Sequence, residues 1–311
     1  MPHGLFIVLG AVAGYILFGI SAELTVATVL VSLIAPLPAA WLGMRFGTQT
    51  GGATVALTGG TILLLHGLGS SLMYLLQFGL PAALLPYFLN RGIAWDRAAF
   101  TTLGSTLGAG VVALVGYAAT LGESPFSVAG AMIAREVGRT VEKMRQIFTD
   151  AQLSAQQMRE LNAAIENMAE FMSVVYPGIL ILVGGAMILG LVFLLVIMGR
   201  GRYQVPGPAF PQWKTPEPLV WLLIASGFAV VLISGVPADV AKNLLVVLLP
   251  LYFLQGLAVV DCYCRRKQIP ALARGIGFVL VIILNPLPML VTGLGVFDLW
   301  ADFRKTKEPK S

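Results

Sequence analysis

The residues of this chain that could do chemistry are few and widely scattered. The stretch His66-Gly67-Leu68-Gly69-Ser70-Ser71 sets serines close to an imidazole. A nucleophilic serine needs its base delivered from another element, and His66 is too near in sequence to serve that way. The chain has no G-x-S-x-G elbow, no H-E-x-x-H zinc helix and no phosphate-cradling Walker loop. His3 and His66 are its only histidines, and Cys262 and Cys264 its only cysteines. That donor set is too sparse for a metal centre. The C-x-C pair, beside Arg265, Arg266 and Lys267, reads as two free thiols in a reducing compartment. We therefore expect no catalytic residue, no metal and no cofactor, and the protein is not read as an enzyme. An intramembrane enzyme would require His66 or Glu23 to be indispensable.

The remaining candidates are polar side chains within or beside apolar runs, where lipid makes them costly. Glu23, His66, Gln77, Gln255 and Asn285 are the positions where a substrate would be bound. Each also has a plainer reading. Glu23 is then a neighbour of a helix cap, His66 an interfacial hydrogen-bonder, and Gln77 and Gln255 glue between helices. Asn285 stands in Asn285-Pro286-Leu287-Pro288, where the prolines free backbone carbonyls and a half-helix terminus could face a ligand. Asp261, near Arg265, reads as a surface ion pair. Asp298 and Asp302, around Trp300 and beside Arg304 and Lys305, read as an interface anchor.

The elements that must carry these residues are helices in a bilayer. The chain is 57% hydrophobic and 11% charged, against about 25% charged residues in soluble domains, and so few charges could not cover a water-facing surface. Apolar runs of spanning length cover 4–20, 24–42, 51–67, 70–89, 99–121, 174–198, 217–235 and 242–261, with a ninth, 271–300, broken by the prolines. The fold class is all-α: a polytopic transmembrane bundle of about eight spans plus the broken C-terminal segment, with one helical insert outside the membrane. Run 4–20 is read as the first span and not a signal peptide, because Met1-Pro2-His3 carries no Lys or Arg. The break at 285–288 gives either two short helices in a hairpin or one kinked helix.

The insert spans 122–173. Ser124-Pro125 is a helix start, followed by apolar Ile133, Val137, Val141, Met144 and Phe148. Ser154-x-x-Gln157 reads as a capping box opening a second helix, whose apolar residues Met158, Leu161, Ile165, Met168 and Met172 form a narrow seam. Five basic and seven acidic residues make the pair a solvated surface with one sticky stripe. The stripe leaves open packing of the two helices on each other, self-association, and docking of a partner or of a lid over a cavity. Lys and Arg fall at Arg45, at Arg91 and Arg97, at Arg200, Arg202 and Lys214, and at Arg265, Arg266, Lys267 and Arg274. The alternate loops carry almost none, so the N-terminus, the Pro-rich loop 199–216 and the tail 304–311 are cytosolic and the insert is external. The net charge of +5 belongs to this topology, and nucleic acid is not an expected partner. The domains expected are a six-helix bundle (1–121 with 174–198), the insert, the loop, and the C-terminal membrane helices 217–303.

Two segments carry a resemblance. Gly293-Leu294-Gly295-Val296-Phe297-Asp298-Leu299-Trp300-Ala301-Asp302-Phe303-Arg304-Lys305 and Leu254-Gln255-Gly256-Leu257-Ala258-Val259-Val260 resemble the YybS-like family of bacterial polytopic membrane proteins. That family's N-terminal part is distantly similar to the substrate-binding components of energy-coupling-factor vitamin transporters. The resemblance implies a bacterial inner-membrane protein that binds a small molecule among its first six helices. It also implies that Gly10, Ala13 and Gly14, small residues on the first helix, meet a coupling subunit. The alternative is a non-transporting scaffold or assembly factor that presents the insert to an envelope partner. Alkaline phosphatase fused within 122–173 is expected to be active and a fusion at the N-terminus inactive; the reverse pattern overturns the orientation.

Overall fold

The computed structural model describes residues 2–21, 31–149, 154–199 and 201–305, and among these there is no strand. The helices form two compact units. The first comprises Met1–Val128 with Val183–Gly207, the second Ala129–Leu182 with Pro208–Ser311.

In the first unit, α1 (Pro2–Ser21) precedes α2 (Leu37–Phe46), which a helical turn at 31–34 leads into. A single glycine, Gly47 (φ 99°), links α2 to α3 (Thr48–Tyr74). A π-helical turn, Leu75–Gly79, joins α3 to α4 (Leu80–Asn90). Helix α5 (Trp95–Leu121) completes the set, together with the last part of a 44-residue helix, α7 (Ala155–Met198).

Helix α3 is not straight. Gly67 has φ 83° and ψ 177°, a backbone that L side chains rarely adopt. The Ser71 hydroxyl donates to the Gly59 carbonyl at 2.9 Å. A Cβ on Gly79 would lie 3.0 Å from Val55 Cγ1, although a straight helix would hold those residues about 36 Å apart. The 43-residue apolar segment Thr48–Asn90 is thus an antiparallel helical hairpin turned on one residue. The separate runs 51–67 and 70–89 are its two arms. Its polar residues are satisfied internally, with Thr54 and Thr58 donating to carbonyls four residues back, both at 2.9 Å. The core is closed by fully buried Ile62, Phe78, Leu85, Ala98 and Leu191.

The second unit holds α6 (Pro125–Thr149) from Ala129 onward and α7 as far as Leu182. It continues with α8 (Pro218–Leu232), α9 (Val236–Arg266), α10 (Ala271–Ile283) and α11 (Leu287–Ala301). Both expected helix starts are present. The Ser127 N–H donates to Ser124 Oγ at 3.1 Å, and Ser154 and Gln157 exchange backbone-to-side-chain bonds of 3.3 and 2.9 Å. Arg145 of α6 pairs with Glu166 of α7 at 3.7 Å. Of the two stripes, Val137 and Ile165 are buried, and Met168 is the seam residue left exposed.

The all-α membrane bundle is present. Among the described residues five helical segments are long and apolar enough to cross a membrane, with the bent pair α10–α11 as a sixth, where the sequence offers eight apolar runs and a broken ninth. The hairpin accounts for one of the difference, and the described parts of runs 24–42 and 217–235 are short helices, Val31–Phe46 and Pro218–Leu232. The two compact units divide the insert, which contributes 122–128 to the first and 129–173 to the second. The insert helices group with the C-terminal helices, because the Asn243 side chain of α9 bonds α7 at Val174 and Gly178. The break at 285–288 ends one helix and starts another, as prolines require, with a bend of 105° that suits a broken span and a re-entrant segment alike.

Helices α9 and α11 meet backbone to backbone. A Cβ on Gly256 would collide with the Val291 carbonyl oxygen, and one on Gly295 with the carbonyl oxygen of Tyr252 and, at 2.7 Å, with the Gly256 nitrogen. Gly293, in the same helix, has open space around it. Gly256→Ala and Gly295→Ala should each destabilise the protein by about 2 kcal/mol or more, the upper part of the range for overpacking. Gly293→Ala should leave the melting temperature in detergent unchanged.

Candidate functional site: a buried polar cluster at the α9–α11 crossing

The glycine crossing decides which side chains meet. Gln255 precedes Gly256 on α9, and Asp298 follows Gly295 by about one turn on α11, so both project into the same contact. Both are fully buried. The Gln255 carboxamide bridges two segments. Its Oε1 accepts from the Thr215 N–H at 3.0 Å and from the Thr215 hydroxyl, and its Nε2 donates to Asp298 Oδ2 at 3.2 Å. Asp302 adopts a left-handed conformation (φ 43°) just after α11, which turns the chain back and returns Arg304 to the cluster. The Arg304 guanidinium donates to Asp298 Oδ2 at 2.7 Å, to the Pro211 carbonyl at 3.0 Å and to the Trp213 carbonyl at 2.6 Å. Asp298 Oδ1 and Arg304 Nε are buried without a partner.

Two carboxylates flank the cluster. Asp302 accepts from Lys214 at 2.8 Å and pairs with Lys305 at 3.0 Å. The Lys214 hydrogen bond, then Lys305, holds its carboxyl below the usual carboxylate range. A carboxyl with a depressed pKa stabilises the fold above its unfolded value and loses that effect as pH falls through the folded one. This contact therefore persists at neutral pH and is released only on acidification. Asp261 was expected in a surface pair with Arg265. The Arg265 bond is present at 2.9 Å, but the carboxylate is buried and also binds Arg274 of α10 at 2.7 Å. Asp298, likewise expected at the interface, is wholly inside.

Such a cluster fastens segments together and offers no nucleophile with a base. Removing one member of a buried ion pair strands the other, which is far costlier than the net worth of the pair. The cluster thus ties the loop 208–216, α9, α11 and the residues after α11 into one piece.

Of the residues expected to bind substrate, only Gln255 takes part in this cluster. Asn285 is exposed at the bend between α10 and α11. In the first unit, His66 is exposed at the hairpin tip, with Nε2 2.9 Å from the Tyr15 hydroxyl, and Gln77 is exposed on the π turn. Glu23 lies outside the described residues. The four described positions fall two to each unit, His66 and Gln77 in the first and Gln255 and Asn285 in the second. The small-residue face of α1 is filled from within its own unit. A Cβ on Gly10 would lie 3.0 Å from Thr54 Cγ2, and one on Gly14 3.3 Å from Thr58 Oγ1. Ala13 is half-buried. The outward face of α1 carries Leu5, Val8, Leu9, Val12 and Ile16 instead. An open cleft of about 550 Å³ lies elsewhere in that unit, lined by Leu89, Asn90, Gly92, Tyr203, Gln204 and Pro206. Its loop is pinned by the Trp95 N–H donating to the Pro206 carbonyl at 2.8 Å. No group of three or more His, Cys, Asp or Glu able to hold a metal exists among the described residues.

The sequence reading missed Asn243. Its Oδ1 accepts from the Gly178 N–H at 2.7 Å, and its Nδ2 donates to the Val174 and Asp239 carbonyls, each at 2.8 Å. Val174 and Gly178 stand four apart on α7, so one carboxamide satisfies both ends of a helical hydrogen-bond pair that straddles Pro177. A Cβ on Gly178 would lie 2.9 Å from the Asn243 carbonyl oxygen. A lone Asn opening an apolar run is itself an expensive residue, and that signal was available in the sequence.

A family model described as predicted membrane protein (DUF2232) matches residues 12–299. The chain belongs to that family. No curated protein and no solved structure matches it. Membership of the DUF2232 family agrees with a multi-pass helical membrane protein.

For this DUF2232 chain, Asp298→Asn and Arg304→Met should each cost about 3 kcal/mol or more, as expected for a broken buried pair. The double variant Asp298→Asn with Arg304→Met should cost clearly less than the sum, because neither charge is then stranded. Melting temperatures in detergent check both; strict additivity would show that the pair does not act as a unit.

Proposed function

We propose that the protein works as a membrane scaffold, holding an extramembrane helical arm at a fixed attitude for a protein partner in a bacterial cell envelope. The observation that carries this reading is the continuity of α7 and its clamp. The helix runs 44 residues without interruption, about 66 Å, where about 30 Å crosses the hydrocarbon. The surplus forms the arm with α6. At the point where arm becomes span, Asn243 of α9 grips Val174 and Gly178. The arm keeps exposed apolar side chains, Ile147 at 73% and Phe171 at 55%, of the kind a partner would cover. Self-association through the arm is the homotypic version of the same reading.

A second reading, a small-molecule-binding component of a transport system, is favoured by the cleft beside Asn90 and Gln204 and by the likeness to energy-coupling-factor substrate-binding components. In this reading the N-terminus faces the cytosol, and a coupling subunit would have to meet a surface of α1 other than Gly10 and Gly14.

Affinity capture from native membranes separates the two. Deleting 125–172, or the milder pair Ile147→Glu with Phe171→Glu, should abolish recovery of the partner while the membrane part keeps its melting temperature. Unchanged recovery with both variants would rule out the arm. A rise in melting temperature with a vitamin, nucleoside or metal, which a ligand of the folded state produces, would favour transport.

A further inference from the structure

The surface where α9 passes into α10 is unlike the rest of the second unit. Arg265, Arg266 and Lys267 end α9 and Arg274 begins α10, with Asp261 as the carboxylate bound among them. Asp261 is committed to Arg265 and Arg274. The Arg266 guanidinium donates to a neutral group, the Arg304 carbonyl, and lies over the Tyr263 ring. Among the described residues neither Arg266 nor Lys267 has a carboxylate partner, and both are exposed. No residue of α10 is buried. Its outer face holds a shallow groove of about 490 Å³ lined by Ala271, Leu272, Gly275, Ile276, Val279 and Leu280. These positions form two parallel rows at i, i+4 spacing. Ala271 and Gly275 floor the groove because they are small, and Gly275 has open space where a Cβ would be. The groove runs about 14 Å along the helix, and it begins four residues after Lys267.

A surface that is strongly cationic at one end and an apolar trough at the other fits an amphiphile of opposite charge. We propose that this is a binding site for an anionic phospholipid, with the headgroup phosphate at Arg266 and Lys267 and one acyl chain laid along α10. A zwitterionic lipid offers the same chain but cancels its own phosphate charge. A free anion offers the charge without the chain. Juxtamembrane cations each contribute roughly a fivefold gain in affinity for anionic lipid, so two such cations make a selective site and not merely an annular contact.

The test is native mass spectrometry of the purified full-length chain in mild detergent, with dioleoyl phosphatidylglycerol or dioleoyl phosphatidylcholine supplied. The wild type should retain the anionic lipid roughly tenfold or more over the zwitterionic one. Arg266→Gln with Lys267→Gln should bring the ratio close to one. Lys267→Gln alone, which disturbs no bond within the fold, should lower it severalfold. Gly275→Leu, which fills the trough, should reduce phosphatidylglycerol retention without moving the melting temperature. The proposal is overturned if the wild type shows no preference, if the preference survives the cation variants or the filled trough, or if excess inorganic phosphate displaces the lipid completely.

Discussion

The close approach of α9 and α11 at Gly256 and Gly295 is the constraint on which the second unit rests. Two helices touching through their backbones leave no room for a Cβ at the crossing. The neighbouring side chains are forced into a small shared buried volume. Gln255 and Asp298 occupy that volume, and a buried carboxylate must find a cation. Arg304 supplies it, and its remaining donors reach the backbone of the loop at Pro211 and Trp213. Steric closeness thus creates an electrostatic demand, and meeting that demand orders segments that have little apolar surface of their own.

The first unit solves a similar problem without charge. Its helices also approach closely, with a Cβ on Gly51 falling 2.8 Å from the Gly43 Cα. Its fully buried polar residues are hydroxyls, of which Thr54 and Thr58 bond carbonyls one turn back and Ser71 bonds Gly59 across the hairpin. Aromatic rings and arginines gather near the links between its helices: Arg45 lies over Trp41 and Phe46, and Arg91 over Tyr87. Such pairs place an apolar body and a charged tip together, as a membrane interface favours.

What the sequence made legible was whatever depends on local pattern. Apolar runs, the Ser124 and Ser154 helix starts and the proline break at 285–288 all follow from side-chain types over a few residues. The amphipathic stripes of the insert were readable for the same reason. What was not legible depends on partners distant in sequence. Asp298 looked like an interfacial anchor because it stands near Trp300 and Lys305, and only the fold shows it wholly enclosed with Gln255. Gln255 could be singled out as a costly polar residue, but its role in joining Thr215 to Asp298 required the glycine crossing. A docking face at Gly10 and Gly14 came from the family resemblance alone; small residues every four positions suit any close helix contact, and here that contact is internal. The segments quoted for their family likeness, 254–260 and 293–305, contain the crossing glycines and three members of the cluster.

The reversal at Gly67 bears on how the chain reaches the membrane. A connection of one residue has no slack, so neither arm of Thr48–Asn90 can finish crossing while the other waits in water. The two arms must enter the bilayer together, already paired, with Ser71 bonded to Gly59 and the threonines turned onto their own backbone. For this stretch, biogenesis is a single event of hairpin size, and a lengthened turn at Gly67 would split it into two.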